Sequence, residues 1–237
     1  TYKILSAIGQ GENIHPHQLK RPFRNPHHSL SDAGLIGGGR LLLPGEITLS
    51  HNGILFLDEL PEFRRNVLEA LRQPLEEQRI VLSRGGTHVE YPAAFQLIAA
   101  MNPCPCGFYN HPTKACNCPP GQIHRYRNKI SGPLLDRIDL QVEVTPISEI
   151  DLIKKDALTT KHRSSIQERI IAARDQQLER WKGHKGIQCN GQASGAALQA
   201  ACELEESSKN LLQNAFKKLS LSARAYEKVL KIARTIA

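Results

Sequence analysis

Gly53-Ile54-Leu55-Phe56-Leu57-Asp58-Glu59-Leu60 is the stretch whose reading decides the fold. Four consecutive apolar residues ending in two carboxylates read as a fully buried strand whose carboxyl end delivers acids to a site at a sheet edge. Two acids in that position are costly unless they are used. At such strand ends in nucleotide hydrolases, one carboxylate holds Mg²⁺ and a second polarises the attacking water, which makes Asp58 and Glu59 the candidates for these roles. The same eight residues also fit a buried strand running into a merely structural acidic turn.

Downstream, Phe63, Val67, Leu68 and Leu71 recur at helical spacing, and Pro74 ends or kinks that helix. Residues 79–84 and 87–91 read as two strands joined by a Gly85-Gly86 hairpin turn, with Arg84 and His88 at the tip. Residues 94–101 form a second core strand ending in Asn102-Pro103, so a polar side chain leaves this strand as Asp58 and Glu59 leave theirs. Upstream, residues 1–11 have the spacing of a short amphipathic helix end. Two prolines keep Arg21-Pro22-Phe23-Arg24-Asn25-Pro26-His27-His28-Ser29 extended, a loop suited to a phosphate or a partner. The His27-His28 pair reads as solvated or hydrogen-bonded, since no acid or thiol adjoins it. Residues 34–40 are rich in glycine but lack a following Lys-Ser/Thr, which favours a loop or close backbone packing over a phosphate cradle.

The four thiols of Cys104-Pro105-Cys106 and Cys116-Asn117-Cys118 lie in one loop rich in Pro, Gly and Asn that has too few apolar residues for a core of its own. Zn²⁺ ligation by Cys104, Cys106, Cys116 and Cys118 would staple it. The C-x-C spacing also allows one pair to supply a single ligand with His111 or His124, or a plain reduced loop. Cys189 and Cys202 stand apart and pack. Arg137, between Asp136 and Asp139, reads on its own as a salt-bridged surface arginine, and residues 140–144 read as a further strand. After Pro146 the pattern becomes helical: 166–181, 196–202, 205–219 and 222–237, the last capped by Ser220 or Ser222. A domain boundary therefore falls near 146, dividing 1–146 from a helical 147–237.

Composition constrains function more loosely. The 237 residues are 40% hydrophobic, with a net charge of +8, which suits a globular chain with a polyanionic partner. No run is long enough to span a bilayer and no secretory signal is evident, so a cytoplasmic location and no membrane partner are expected. An opening Thr1-Tyr2-Lys3 without Met suggests a piece of a longer chain.

The succession of acidic strand, helix, Gly-Gly hairpin, strand ending in Asn, Leu-Leu-Asp-Arg-Ile-Asp and helices containing Ser-Ala-Arg-Ala resembles the magnesium-chelatase-like AAA+ ATPases. Pro-Phe-Arg-Asn-Pro-His-His, Gly-Ile-Leu-Phe-Leu-Asp-Glu-Leu-Pro-Glu-Phe, Asn-Pro-Cys-Pro-Cys-Gly and Leu-Ser-Ala-Arg-Ala-Tyr narrow this to the ComM/YifB branch. The resemblance implies an α/β fold: an AAA+ P-loop-type parallel sheet, here without the P-loop strand, followed by an all-helical lid. It makes Asp58 and Glu59 the Walker B pair, Asn102 sensor 1, Arg137 an arginine finger reaching a neighbouring subunit, and Arg224 sensor 2. It further implies ATP and Mg²⁺ as ligands, a homo-oligomeric and hexameric ring, and a hairpin touching DNA through Arg84, with Arg79 and His88 in support. The implied activity is that of a branch-migration helicase in DNA uptake and recombination.

The chain departs from this pattern in one respect: no G-x-x-x-x-G-K-[ST] occurs in it. That loop is expected upstream of Thr1, as is a Lon-protease-like domain, and the 237 residues alone are expected to be inactive. Two other readings are a magnesium-chelatase ATPase subunit and a non-catalytic, zinc-stabilised DNA-binding module.

Overall fold

The computed structural model describes Ile4 and residues 20–145, 160–219 and 221–237, in two compact units, Thr1–Gln141 and Val142–Ala237. The elements of the first unit are β1 (Phe23–Arg24), α1 (Asp32–Ile36), β2 (Gly37–Gly38), β3 (Leu43–Pro44), α2 (Glu46–Leu49), β4 (Ile54–Leu57), α3 (Arg65–Ala70), α4 (Arg72–Glu77), β5 (Arg79–Arg84), β6 (Thr87–Pro92), β7 (Gln96–Ala99), α5 (Pro120–Arg127) and α6 (Gly132–Leu135). A parallel sheet of order β1-β4-β7 carries the quoted stretch at its centre. Its register, Phe23↔Ile54 and Leu57↔Ala99, brings all three carboxyl ends to one edge.

Burial explains why β4 is central, although it is less complete than a fully buried strand requires. Leu55 and Leu57 are wholly buried among Leu35, Ile47, Leu60, Val67, Leu68 and Leu71, whereas Ile54 and Phe56 on the other face are half-buried. Phe56 stacks on Phe23 of β1, with ring centroids 6.2 Å apart. Gly53 permits the close approach of β1, because a Cβ there would lie 1.9 Å from the Pro22 carbonyl oxygen. The glycine run also serves backbone packing: Gly37 has φ 105° and pairs antiparallel with Pro44, and a Cβ on it would lie 2.4 Å from the Leu43 oxygen.

The helix after the acidic strand is broken at Leu71, not at Pro74, which sits in the first turn of α4, where a missing N–H costs little. The hairpin forms as its turn residues require. Arg84 pairs with Thr87, and Gly85 and Gly86 take φ 55° and 80°.

The strand expected over 140–144 is not formed. Leu140, Val142 and Val144 are 68%, 81% and 86% exposed, and residues 140–145 lack regular structure. Apolar alternation makes a strand only where a neighbouring backbone accepts its hydrogen bonds. Among the described residues, the outer side of β7 likewise meets no strand.

The second unit is helical: α7 (Thr160–Arg180), α8 (Gly195–Ala201), α9 (Glu206–Leu219) and α10 (Ala223–Ile236). Its core joins Trp181, Ala193, Leu198, Cys202 and Leu230. Buried Asn190 is fully engaged: its Oδ1 accepts from Trp181 Nε1 and Arg180 Nη1, both at 3.0 Å, and its Nδ2 donates to Thr235 Oγ1 at 3.0 Å. The apolar side that helical spacing predicts here, Ile166, Ile170, Ala173 and Leu178, is not buried: Ala173 is half-buried and the other three are 40–54% exposed. Ser222 caps α10, its hydroxyl accepting from the Ala225 N–H at 3.3 Å. The expected helix end at 1–11 lies outside the described residues apart from Ile4, and so does the Ser220 cap.

Candidate active site and cysteine cluster

β4 and β7 are paired to their ends: the Ala100 N–H donates to the Leu57 oxygen at 3.0 Å and the Leu60 N–H to the Ala100 oxygen at 2.9 Å. Asp58, Glu59 and Asn102 therefore emerge side by side from one sheet edge, all three exposed. Asp58 Oδ1 accepts the Glu59 N–H at 2.9 Å. Glu59 lies in the left-handed region, φ 51° and ψ 47°, a strained conformation that clusters at functional sites. Exposed carboxylates at the strand end suit a hydrated Mg²⁺.

His28 belongs to this edge, and its polar partner is an acid 31 positions away in sequence. Its Nδ1 lies 3.2 Å from Glu59 Oε2, while its ring stands edge-on to Phe63 and tilts over His27, with centroids 4.1 Å apart. Its placement follows from the pairing of β1: a strand parallel to β4 sends its following residues to the same edge as Asp58. Tyr126 of α5 was missed. Burial, with the charges of Glu62 and Glu59 nearby, raises its pKa, and the backbone of Asn102 works against that rise. Arg127 Nε donates to the Pro103 oxygen at 3.0 Å, so α5 braces the segment that presents Asn102.

Arg137, at the end of α6, is engaged within its own chain. Its Nη1 donates to the Pro133 oxygen at 2.7 Å, and Nη2 pairs with Glu76 of α4, leaving the side chain 12% exposed. Glu76 is thus an ion-pair partner that the flanking Asp136 and Asp139 did not foretell. Arg224, in the second unit, occupies the first turn of α10 and is exposed; a cation there opposes the helix dipole.

The hairpin separates its three candidates. Arg79 is tied to Glu77 at 3.2 Å and to Glu90 at 3.0 Å, and the Glu77 hydrogen bond followed by the Glu90 charge raises its pKa. His88 Nδ1 meets Ser83 Oγ at 2.7 Å, and Arg84 is exposed at the tip.

The four loop cysteines converge. Cys104, Cys106 and Cys116 have Sγ separations of 3.4–3.6 Å, and all four sulfurs, Cys118 included, lie within 4.8 Å of one another. A tetrahedron with Zn–S of about 2.3 Å has edges of roughly 3.8 Å, so the set fits a tetrahedral ion. The thiols are free, as ligands must be. The imidazoles stand elsewhere: His111 Nδ1 accepts the Thr113 and Lys114 N–H groups, and His124 faces Asn128.

Residues 1–152 match the family profile described as magnesium chelatase, subunit ChlI, and residues 160–237 match subunit ChlI C-terminal. The chain belongs to this magnesium-chelatase family of AAA+-type ATPases, for which ATP and Mg²⁺ are the implied ligands. Within the family it falls in the ComM/YifB branch. It is 42% identical to competence protein ComM of Haemophilus influenzae, over 100% of this chain and 45% of that protein, and 42% identical to YifB of Escherichia coli, over 99% and 44%. An MCM-type protein of Methanocaldococcus jannaschii, MJ1489, is 32% identical over 55% of this chain and 18% of its own length. The chain spans less than half the length of its ComM and YifB relatives. Among the described residues, no helix is long and apolar enough to cross a membrane.

Proposed function

We propose that this chain is part of an ATP-hydrolysing AAA+ motor acting on DNA, a ComM-like branch-migration helicase serving uptake and recombination. The observation that carries the reading is the shared edge where paired strands present Asp58, Glu59 and Asn102. Asp58 would hold Mg²⁺, which when bound neutralises charge developing on the phosphates. Glu59 orients and polarises the lytic water, with His28 fixing its carboxylate, and Asn102 positions the water or the γ-phosphate. Arg224 senses the nucleotide from the helical domain, 147–237. Arg137 acts in trans, exchanging Glu76 for a neighbour's nucleotide in a hexameric ring, so that turnover depends on assembly. Arg84 leads the hairpin contact with DNA. The four cysteines hold one structural Zn²⁺, which secures the loop after Asn102.

Glu59→Gln in the full-length protein tests this. ATP hydrolysis should fall by about 10²–10⁴-fold, the span of a lost general base, while nucleotide binding persists and branch migration of a four-way junction stops. Unchanged hydrolysis would make the acidic strand structural. The 237-residue chain alone should give no MgATP signal in calorimetry, because it lacks the backbone cradle of a P-loop. Micromolar binding would mean that another loop supplies the cradle.

A further inference from the structure

Between Glu90 and Asp136 the sequence contains no acidic residue but carries Lys114, Arg125, Arg127 and Lys129. Lys129 is engaged by Glu62 at 3.5 Å. Lys114, Arg125 and Arg127 are exposed on the cysteine loop and α5; Arg125 and Arg127 each give only Nε to a backbone oxygen, of Gly121 at 3.3 Å and Pro103 at 3.0 Å, and Lys114 and Arg127 lie over aromatic rings. Lys114 Nζ is 5.1 Å from the Phe108 centroid, and Arg127 is 4.8 Å from the Tyr109 centroid. His111 stands edge-on to Phe108 at 5.7 Å. Neither ring belongs to a hydrophobic core of the described residues. Rings outside the core, arranged with cations on a loop gathered by four thiols, make a preformed surface.

We propose that this face is a single-stranded nucleic-acid contact, in which Phe108 and Tyr109 stack on bases while Lys114, Arg125 and Arg127 hold phosphates. Residues 91–135 add no carboxylate of their own to repel a polyanion, and the neighbouring Glu62 is engaged by Lys129. Aromatic faces interleaved with cations are the composition that grips unpaired strands, because every base offers a π-face once it is unstacked. A duplex keeps those faces covered and gives the rings nothing to stack on. The contact is separate from the Gly85-Gly86 hairpin and rests on the reading of this chain as a DNA-acting motor.

Fluorescence anisotropy with labelled oligothymidylate and full-length protein tests it. Phe108→Leu combined with Tyr109→Leu retains apolar volume and removes both stacking faces. Affinity should fall by about tenfold or more with the salt dependence nearly unchanged. Lys114→Gln and Arg125→Gln should each lower the log–log salt slope by about 0.7. Metal content and thermal unfolding serve as the folding control, and Tyr109→Ala is a second variant if the double Leu variant loses metal. Variants with intact metal that bind oligothymidylate as the unmutated protein does would overturn the contact alone. Unmutated protein that binds neither oligothymidylate nor duplex would remove the DNA reading and this contact together.

Discussion

The sheet edge and the cysteine loop adjoin each other in sequence, yet they are held by opposite means. Asp58 and Glu59 are placed by wholly buried Leu55 and Leu57, whose neighbours form a continuous core. Loop residues 103–118 contribute only Cys104 to the buried set, and their four sulfurs lie within 4.8 Å of one another, where the proposed Zn²⁺ would hold them. A packed edge loses stability in increments as volume is removed, whereas a ligated loop loses its order with one ion. Asn102 sits at the junction and inherits its position from both.

The largest expected effect belongs to the packed region. Arg137→Ala in the full-length protein should cut hydrolysis by about 10³–10⁵-fold while leaving nucleotide binding and zinc content intact. Mixed with Glu59→Gln subunits, it should regain activity. Freely exchanging rings without recovery would show that the finger is not shared.

Next in size, Leu57→Ala should cost about 2–5 kcal/mol in chemical denaturation yet leave about one zinc per chain by elemental analysis. Cys116→Ser should do the reverse, abolishing zinc and raising amide exchange in 103–118 with little change in the sheet. Sheet and loop unfolding together in either variant would show that one set of forces holds both.

A smaller effect separates the hairpin arginines. Arg84→Ala should lower the salt slope of DNA binding by about one ion, while Arg79→Ala, already neutralised by Glu77 and Glu90, should change it less. Equal effects would give both arginines phosphate contacts.

The smallest is a pH response at the base of the sheet. His51 Nδ1 accepts the Ala94 N–H at 3.1 Å, tying the approach to β4 to that of β7, and burial is the main cause of its lowered pKa. The unfolded state takes up the proton first, so this contribution is full above about pH 6.5 and declines as the pH falls through that value toward the folded pKa. The thermal midpoint should drop between pH 7.5 and 5.5, and less in His51→Gln. An identical drop in both would exclude His51 as the cause.

Legibility in the sequence followed the range of the forces involved. β4 and the hairpin were readable because burial and turn chemistry act locally, and the helices of 160–237 from their period; β7 forms where its apolar run predicts but is not the core strand expected, since three of its four residues are exposed. β1 is two residues long and exists only through its pairing with β4, so His28 could not be placed beside Glu59 from spacing. The reverse error at 140–144 has the same origin, an apolar pattern without a partner. Cysteine count exposed the cluster, but only the fold shows four sulfurs meeting without His111 or His124. The ion pair of Arg137 with Glu76 joins positions 61 residues apart and left no local trace.

The outer side of β7 has a consequence for handling the isolated polypeptide. A strand edge left open among the described residues, bearing Ile98 and followed by Met101, 40% and 42% exposed, is a template on which a second copy can add in the manner of a growing fibril. Colloidal behaviour should therefore depend steeply on concentration, with light scattering rising well before any thermal transition. Ile98→Lys places a gatekeeper charge on that strand and should delay the rise without moving the acids of the neighbouring strand end.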